Sequence, residues 1–241
     1  MSTNNILFIF EGEKTERQIS NNLTKYFLDG NTVITCAYCT TIYPIYKELT
    51  GDSDLDIFSL LKVMPQNEVI LKMFNRNDFA EVYMFFDYDG HSSGADDLKL
   101  QKLLNFFNEE TESGKLYISY PMVESLKHIS NYSLFKDAKV DCKTNIYYKN
   151  FVSQNCLKGL INLTMYNLNI WKKLINCHLS KMNHVVKDDY RMPMELIPQS
   201  EVFENQLKKY ITVDSTVAVL SSFPMFLHDY YGNERLRALI S

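Results

Sequence analysis

Two apolar runs in this chain end on acids. Ile6 to Phe10 leads directly into Glu11 and Gly12, and Val82 to Phe86 leads into Asp87, Tyr88, Asp89 and Gly90. In extended backbone, residues two apart point to the same side, so Asp87 and Asp89 would present their carboxylates together while Tyr88 turns away. A glycine after each acid permits a tight turn and a close backbone approach. Carboxylates converging in one crevice repel one another, and burying them unpaired is costly. A divalent cation relieves both problems. Mg²⁺ prefers oxygen ligands and keeps several waters, so one or two carboxylates and the phosphate oxygens of a substrate complete its shell. Glu11, Asp87 and Asp89 are therefore candidate metal ligands.

Glu124, in "YPMVESLKH", follows another apolar run and falls in the first turn of an expected helix. It either caps that helix through the dipole or reaches the same crevice. Lys127, one turn further on, can neutralise a scissile phosphate or stand as an ordinary exposed helical lysine. His91, just after "DYDG", is a substrate contact or a solvated loop residue. Glu13, Glu16, Asp96 and Asp97 read as acids of helical first turns.

The elements that would position these residues alternate. Ile6–Phe10 predicts a buried strand, and "KTERQISNNLTKYFL" a helix through Ile19, Leu23 and Phe27, stopped by Asp29 and Gly30. "TVITCAYCT" predicts a second strand; "DLDIFSLLKVM" and "NEVILKMF" read as helices separated by Pro65. "FAEVYMFFDYDG" is a strand, "ADDLKLQKLLNFF" a helix, "KLYISYP" a strand closed by Pro121, and "MVESLKHI" the start of a helix. This alternation implies an α/β domain over residues 1–129 with a mostly parallel sheet covered on both faces. In such sheets ligands bind beyond the carboxyl ends of the strands, where the acids stand. From Ser130 the texture becomes helical, in "FVSQNCLKGLINLTMYNLNIWKKLINCHL", "SEVFENQLKKYI" and "STVAVLSSFPMFLHDYYG", and residues 130–241 read as a helical region packing on the sheet domain or on a partner.

Composition bounds the function. The 241 residues carry a net charge of −4, which excludes a general basic nucleic-acid coat but not an acidic, metal-loaded centre. Hydrophobic content of 46% and charged content of 22% are those of a folded chain with a real core. The N-terminus lacks a basic signal-peptide region, no apolar run reaches membrane-spanning length, and the five cysteines are an odd number, so the expectation is a cytoplasmic protein with reduced thiols. Cys36 and Cys39 have zinc-like spacing but no second close pair, and read as buried thiols within a strand. "GEKTE" lacks the Gly-Lys-Ser/Thr ending of a P-loop, and no Gly-x-Ser-x-Gly elbow occurs. The aromatic residues of the second half, among them Tyr147, Tyr148 and Trp171, can stack on bases or build a helical core.

"FIFEGEKTE" followed by "VYMFFDYDG" resembles the Toprim domain, which occurs in topoisomerases, primases, OLD-type nucleases and the RloB-like and AriB-like proteins of anti-phage systems. Its pattern is a glutamate after the first strand, matched by Glu11, and an Asp-x-Asp after a later one, matched by Asp87 and Asp89. The resemblance covers roughly residues 4–129, and "EGEKTE" is closer to the nuclease branches. It implies a Toprim-like fold and a Mg²⁺- or Mn²⁺-dependent nuclease acting on DNA or RNA. Glu11 would bind metal or act as general acid/base, Asp87 and Asp89 would hold Mg²⁺, and Glu124 would complete a second metal site. Two such ions stabilise the attacking and leaving oxygens of phosphodiester cleavage. It further implies an anti-phage effector beside a partner ATPase sensor, with a homodimer as one assembly. Two rivals stand: a non-catalytic interaction subunit, which loss of the acids would favour, and a primase- or topoisomerase-like enzyme, the latter needing a tyrosine nucleophile domain for which the chain has little room.

Overall fold

The computed structural model describes residues 4–30, 32–39, 41–51 and 56–241. It divides into two compact units, one of residues up to 86 with 96–116, the other of residues 87–95 with 117–241. Residue 130 falls inside the second unit.

The first unit is organised by β1 (Asn4–Phe10), which pairs in parallel with β2 (Thr32–Tyr38) on one side and β3 (Glu81–Asp87) on the other. Ile6 to Phe10 have no exposed surface. A strand flanked by neighbours and covered on both faces has no polar side, which is why the run is continuously apolar rather than alternating. The sheet is completed in the order β2-β1-β3-β5-β4 by β4 (Asn108–Glu109) and β5 (Gly114–Ser119), which pair antiparallel. Phe85 lies edge-on to Phe8 with centroids 5.2 Å apart, and 5.4 Å from Phe10, locking the register of the two central strands.

Helices follow the strands as expected. α1 (Thr15–Phe27) buries Ile19, Leu23 and Phe27. After α2 (Ile42–Gly51), α3 (Ile57–Lys62) is capped by Asp56, whose carboxylate accepts from Ser59 N–H at 2.8 Å. The start of the expected helix, Asp54 and Leu55, lies outside the described residues. Pro65 ends it in a 3₁₀ turn, and only α4 (Glu68–Leu71) of "NEVILKMF" is helical. The chain is held back there: the Lys62 ammonium donates to Phe74 O at 2.6 Å. Asn67 docks this segment on the sheet edge. Its amide accepts from Tyr38 N–H at 2.8 Å and donates to Tyr38 O at 2.8 Å, standing in for a neighbouring strand. α5 (Asp97–Phe106) is capped by Asp96.

The second unit contains β6 (Lys139–Asp141), α6 (Tyr148–Asn155), α7 (Leu168–Lys187), α8 (Gln199–Gln206), a π turn running into α9 (Thr212–Asp214), β7 (Thr216–Ala218) and α10 (Ser222–Ile240). Two helical expectations are corrected here. "STVAVLSSF" begins as a strand, because Thr216 and Val217 are β-branched and their backbone pairs antiparallel with β6. The long run from Phe151 breaks after Asn155 into short 3₁₀ turns around Gly159 and Asn162, and α7 restarts where Asn167 caps Ile170 N–H at 3.0 Å. Among the described residues no helix is long and apolar enough to cross a membrane.

α7 buries Trp171, Leu174, Ile175, Leu179 and Met182 at helical spacing, and with them two ionisable groups. Lys181 donates to Phe135 O at 2.9 Å and to Ala138 O, and burial pushes its ammonium down to about 7. His178 accepts from Ser221 N–H at 3.2 Å through Nδ1, so its Nε2–H donates to Leu126 O at 3.3 Å. Burial pushes its imidazole down from 6.5 to about 3. A base depressed in the folded state contributes stability that is present above its unfolded pKa and lost as pH falls below it. At pH 5 the loss from His178 is roughly 2 kcal/mol, a melting shift of roughly 4–8 °C. His178→Gln, which keeps a donor and an acceptor, should show a shallower fall in melting temperature between pH 7 and 5 than wild type. Equal slopes would contradict the neutral assignment.

Candidate functional site

Glu11, Glu13 and Glu16 belong to the first unit; Asp87, Asp89, His91, Glu124 and Lys127 belong to the second. Glu11 leaves β1 half-exposed, its N–H donating to Phe85 O at 3.3 Å, one residue past the Phe10–Phe85 pair. Glu16 is buried in the first turn of α1 and reaches back to accept from Gly12 N–H at 3.0 Å. A Cβ on Gly12 would sit 2.8 Å from both Glu16 carboxylate oxygens. Glu16 therefore shapes the turn after Glu11, in keeping with its reading as a helix-start acid.

Asp87 is the last residue of β3 and is buried. Tyr88 N–H donates to Ser119 O at 3.0 Å and Asp89 N–H to Pro121 O at 3.2 Å. The chain then turns: Asp89 has φ 43, a left-handed conformation that aspartate tolerates better than most residues. Tyr88 turns inward as expected, fully buried against Tyr120 and Phe203, and Lys143 Nζ donates to its hydroxyl at 2.9 Å. Gly90 is required by space: a Cβ there would lie 2.5 Å from the Tyr88 ring and 2.9 Å from Cys142 O. Asp89 Oδ1 is buried, and its one near donor is His91 Nδ1 at 3.1 Å, a hydrogen bond only when that nitrogen carries the proton.

Glu124 lies in a 3₁₀ turn, Val123–Lys127, rather than in an α-helix. The turn's bonds span three residues, Ser125 N–H to Met122 O at 2.9 Å and His128 N–H to Ser125 O at 3.2 Å, and Ile129 O beyond it accepts from Leu157 N–H at 2.8 Å. The glutamate does not cap it. Its side chain is 2% exposed, Oε1 lies 3.8 Å from Lys149 Nζ, and Oε2 has no hydrogen-bond partner among the described residues. Tyr148 is within electrostatic reach of Glu124 and Asp87. Burial raises its phenol well above 10, and the charges of Glu124 and then Asp87 raise it further, so it remains neutral. Its hydroxyl is 2.9 Å from Nδ1 of His128, whose imidazole burial, and then Lys181, push down to about 4.

A cavity of about 260 Å³ is lined by Asp89, His91, Asn145, Tyr147, Tyr148 and Lys149, among others; Asp87, Glu124 and His128 are not part of its lining. Lys127 does not line it; the charge of Lys127 acts on the Cys156 thiol instead. Lys149 was not singled out by the sequence reading, because nothing in its spacing ties it to residues 87–89; Tyr147 and Tyr148 were read only as residues that stack on bases or build a core. Cys36 and Cys39 form no disulfide, the second is buried, and among the described residues no metal-ligand cluster includes them.

Among the described residues no group of three or more His, Cys, Asp or Glu side chains is close enough to cage a metal ion. The donors that suit a cation are carboxylates with orphaned buried oxygens, Glu124 Oε2 and Asp89 Oδ1. Each offers oxygen, the donor type suited to a hard ion that takes most of its shell from water and phosphate. No family model, curated protein or solved structure matches the chain. The fold stands as α/β with a mostly parallel five-stranded sheet flanked by helices and a helical C-terminal region.

The orphaned Glu124 oxygen has a measurable consequence. A buried, poorly paired carboxylate costs stability, and a neutral isostere relieves that cost. In chelator, Glu124→Gln should melt a few degrees higher than wild type, a gain on the order of 1 kcal/mol. A drop of several degrees would mean that the charge is satisfied where it stands.

Proposed function

We propose that the protein is a Mg²⁺- or Mn²⁺-dependent nuclease with a Toprim-like site, hydrolysing phosphodiester bonds of DNA or RNA. The observation that carries the reading is the buried oxygen of Glu124 without a hydrogen-bond partner among the described residues, in the unit that also holds Asp87 and Asp89. Asp87, Asp89 and Glu124 would hold the cation. When bound, it would supply Lewis-acid polarisation of the phosphate and a more acidic attacking water. The chain contributes the rest. Tyr148, kept neutral, offers a hydroxyl donor near the acids. Lys149, 68% exposed, offers a cation to an incoming phosphate without being committed to Glu124. Glu11 keeps the role its motif assigns, as metal ligand or general acid/base.

The motif resemblance extends the proposal to a cytoplasmic anti-phage effector switched on by a partner ATPase. Five cysteines outside any disulfide suit a reducing compartment, and a net charge of −4 suits a nuclease without a strong nucleic-acid grip of its own. The test is cleavage of labelled DNA and RNA, with and without a partner ATPase, by wild type and by the Glu11→Ala, Asp87→Asn and Asp89→Asn variants. Each variant should lose at least about 100-fold in rate, the scale of removing one electrostatic contributor, while remaining folded. Wild-type rates in Glu11→Ala and Asp89→Asn would end the proposal.

A further inference from the structure

The segment from Asp141 to Asn150 breaks local rules in a way its packing does not explain. Tyr147 starts α6 in the left-handed region, φ 51 and ψ 46, and makes no side-chain cap. That conformation suits glycine or asparagine, and an N-cap suits Ser, Thr, Asp or Asn; tyrosine meets neither preference. Nor is the ring used for burial, since Tyr147 is 74% exposed. The conformation is nevertheless held: Asn145 Oδ1 accepts from Tyr147 N–H at 2.9 Å, and Tyr147 O accepts from Asn150 N–H at 2.9 Å. Upstream, Asp141 Oδ1 accepts from Lys143 and Thr144 N–H, each at 2.9 Å, so this acid is committed to the turn. A bulky aromatic fixed in a strained position and left exposed beside a cavity marks a ligand contact rather than a core residue.

The cavity defines the ligand. At about 260 Å³ it lies just under the roughly 300–1,000 Å³ of sites that enclose drug-sized molecules, so it suits a single base. Its lining brings together Tyr147, Tyr148, Asn145, Asn150, Lys149 and Asp89. Aromatic faces stack on any base, carboxamides read base edges, and a lysine takes a phosphate as a point charge. A paired base cannot enter such a pocket without leaving its stack.

We propose that this cavity seats one unpaired nucleotide of a single-stranded nucleic acid, its base against Tyr147 and its phosphate toward Lys149. The inference rests on the nuclease reading only for the position of the scissile bond; binding of the strand is independent of it. Substrates are then single strands, loops or frayed ends rather than intact duplex.

The experiment is fluorescence anisotropy of labelled single-stranded RNA, single-stranded DNA and duplex DNA, with Ca²⁺ in place of Mg²⁺ so that binding is read apart from cleavage. Wild type should prefer a single strand to duplex, and the RNA and DNA arms show which sugar is taken. Tyr147→Phe should bind as wild type. Tyr147→Asn, which suits the left-handed backbone but lacks the ring, should weaken single-strand binding by about tenfold, within the range of one lost stack. Lys149→Ala should weaken binding and flatten its salt dependence. Equal affinity of Tyr147→Asn and wild type, preference for duplex, or no single-strand binding by wild type would overturn the proposal. Tyr147-dependent binding, together with no cleavage in the Mg²⁺ assay with the partner ATPase, would keep this site and end the nuclease reading; cleavage there without Tyr147-dependent binding would do the opposite.

Discussion

Glu124 exposes 2% of its side chain, and one of its oxygens has no hydrogen-bond partner among the described residues. A charge in that position is expensive, because its solvation is lost and little is offered in return. Its one cationic neighbour, Lys149, is 3.8 Å away and mostly in solvent, where the pairing contributes little. In the same unit, the charges of Glu124 and Asp87 both act on the Tyr148 phenol, and buried Asp89 Oδ1 has His91 Nδ1 at 3.1 Å. On the proposed reading, a cation bound there would offset that cost.

The surrounding architecture is rigid enough to hold that tension. Tyr88 is clamped between Tyr120 and Phe203, Gly90 leaves no room for a side chain, and backbone bonds to Ser119 and Pro121 fix the residues on either side of the turn. The ionisable groups in the nearby core are held neutral or firmly bonded: His178 between Ser221 and Leu126, Lys181 against two carbonyls. Pre-organisation of this kind keeps polar groups aimed without reorganisation when charge arrives.

Much of this was legible in the sequence. β1 and β3 announced themselves as continuous apolar runs because each is buried on both faces, and the acids at their ends were legible because an ionisable residue breaks such a run abruptly. Gly90 was marked, although the sequence suggests freedom of φ and the structure shows a steric requirement. Other features were not legible. Glu124 sits in a 3₁₀ turn from which the chain leaves to a tertiary bond between Leu157 N–H and Ile129 O, and no local pattern encodes that. β7 hides inside an apolar stretch because its partner, β6, is some seventy residues away, the separation of the Cys142–Ser215 contact being 73. Lys149 and Tyr148 join the site through the same long-range packing, so only coordinates bring them beside residues 87–89.

The central claim is that these carboxylates form a cation site, and metal-dependent melting tests it most directly. A ligand that binds only the folded state stabilises it by about 1.4 kcal/mol at roughly ten times its dissociation constant, a shift of a few degrees for a chain of this size. Wild type and Glu204→Gln, whose substitution is at an exposed helical position of α8, should both rise by that amount as Mg²⁺ or Mn²⁺ is added. Asp89→Asn should not respond. An identical metal response in wild type and Asp89→Asn would contradict the account.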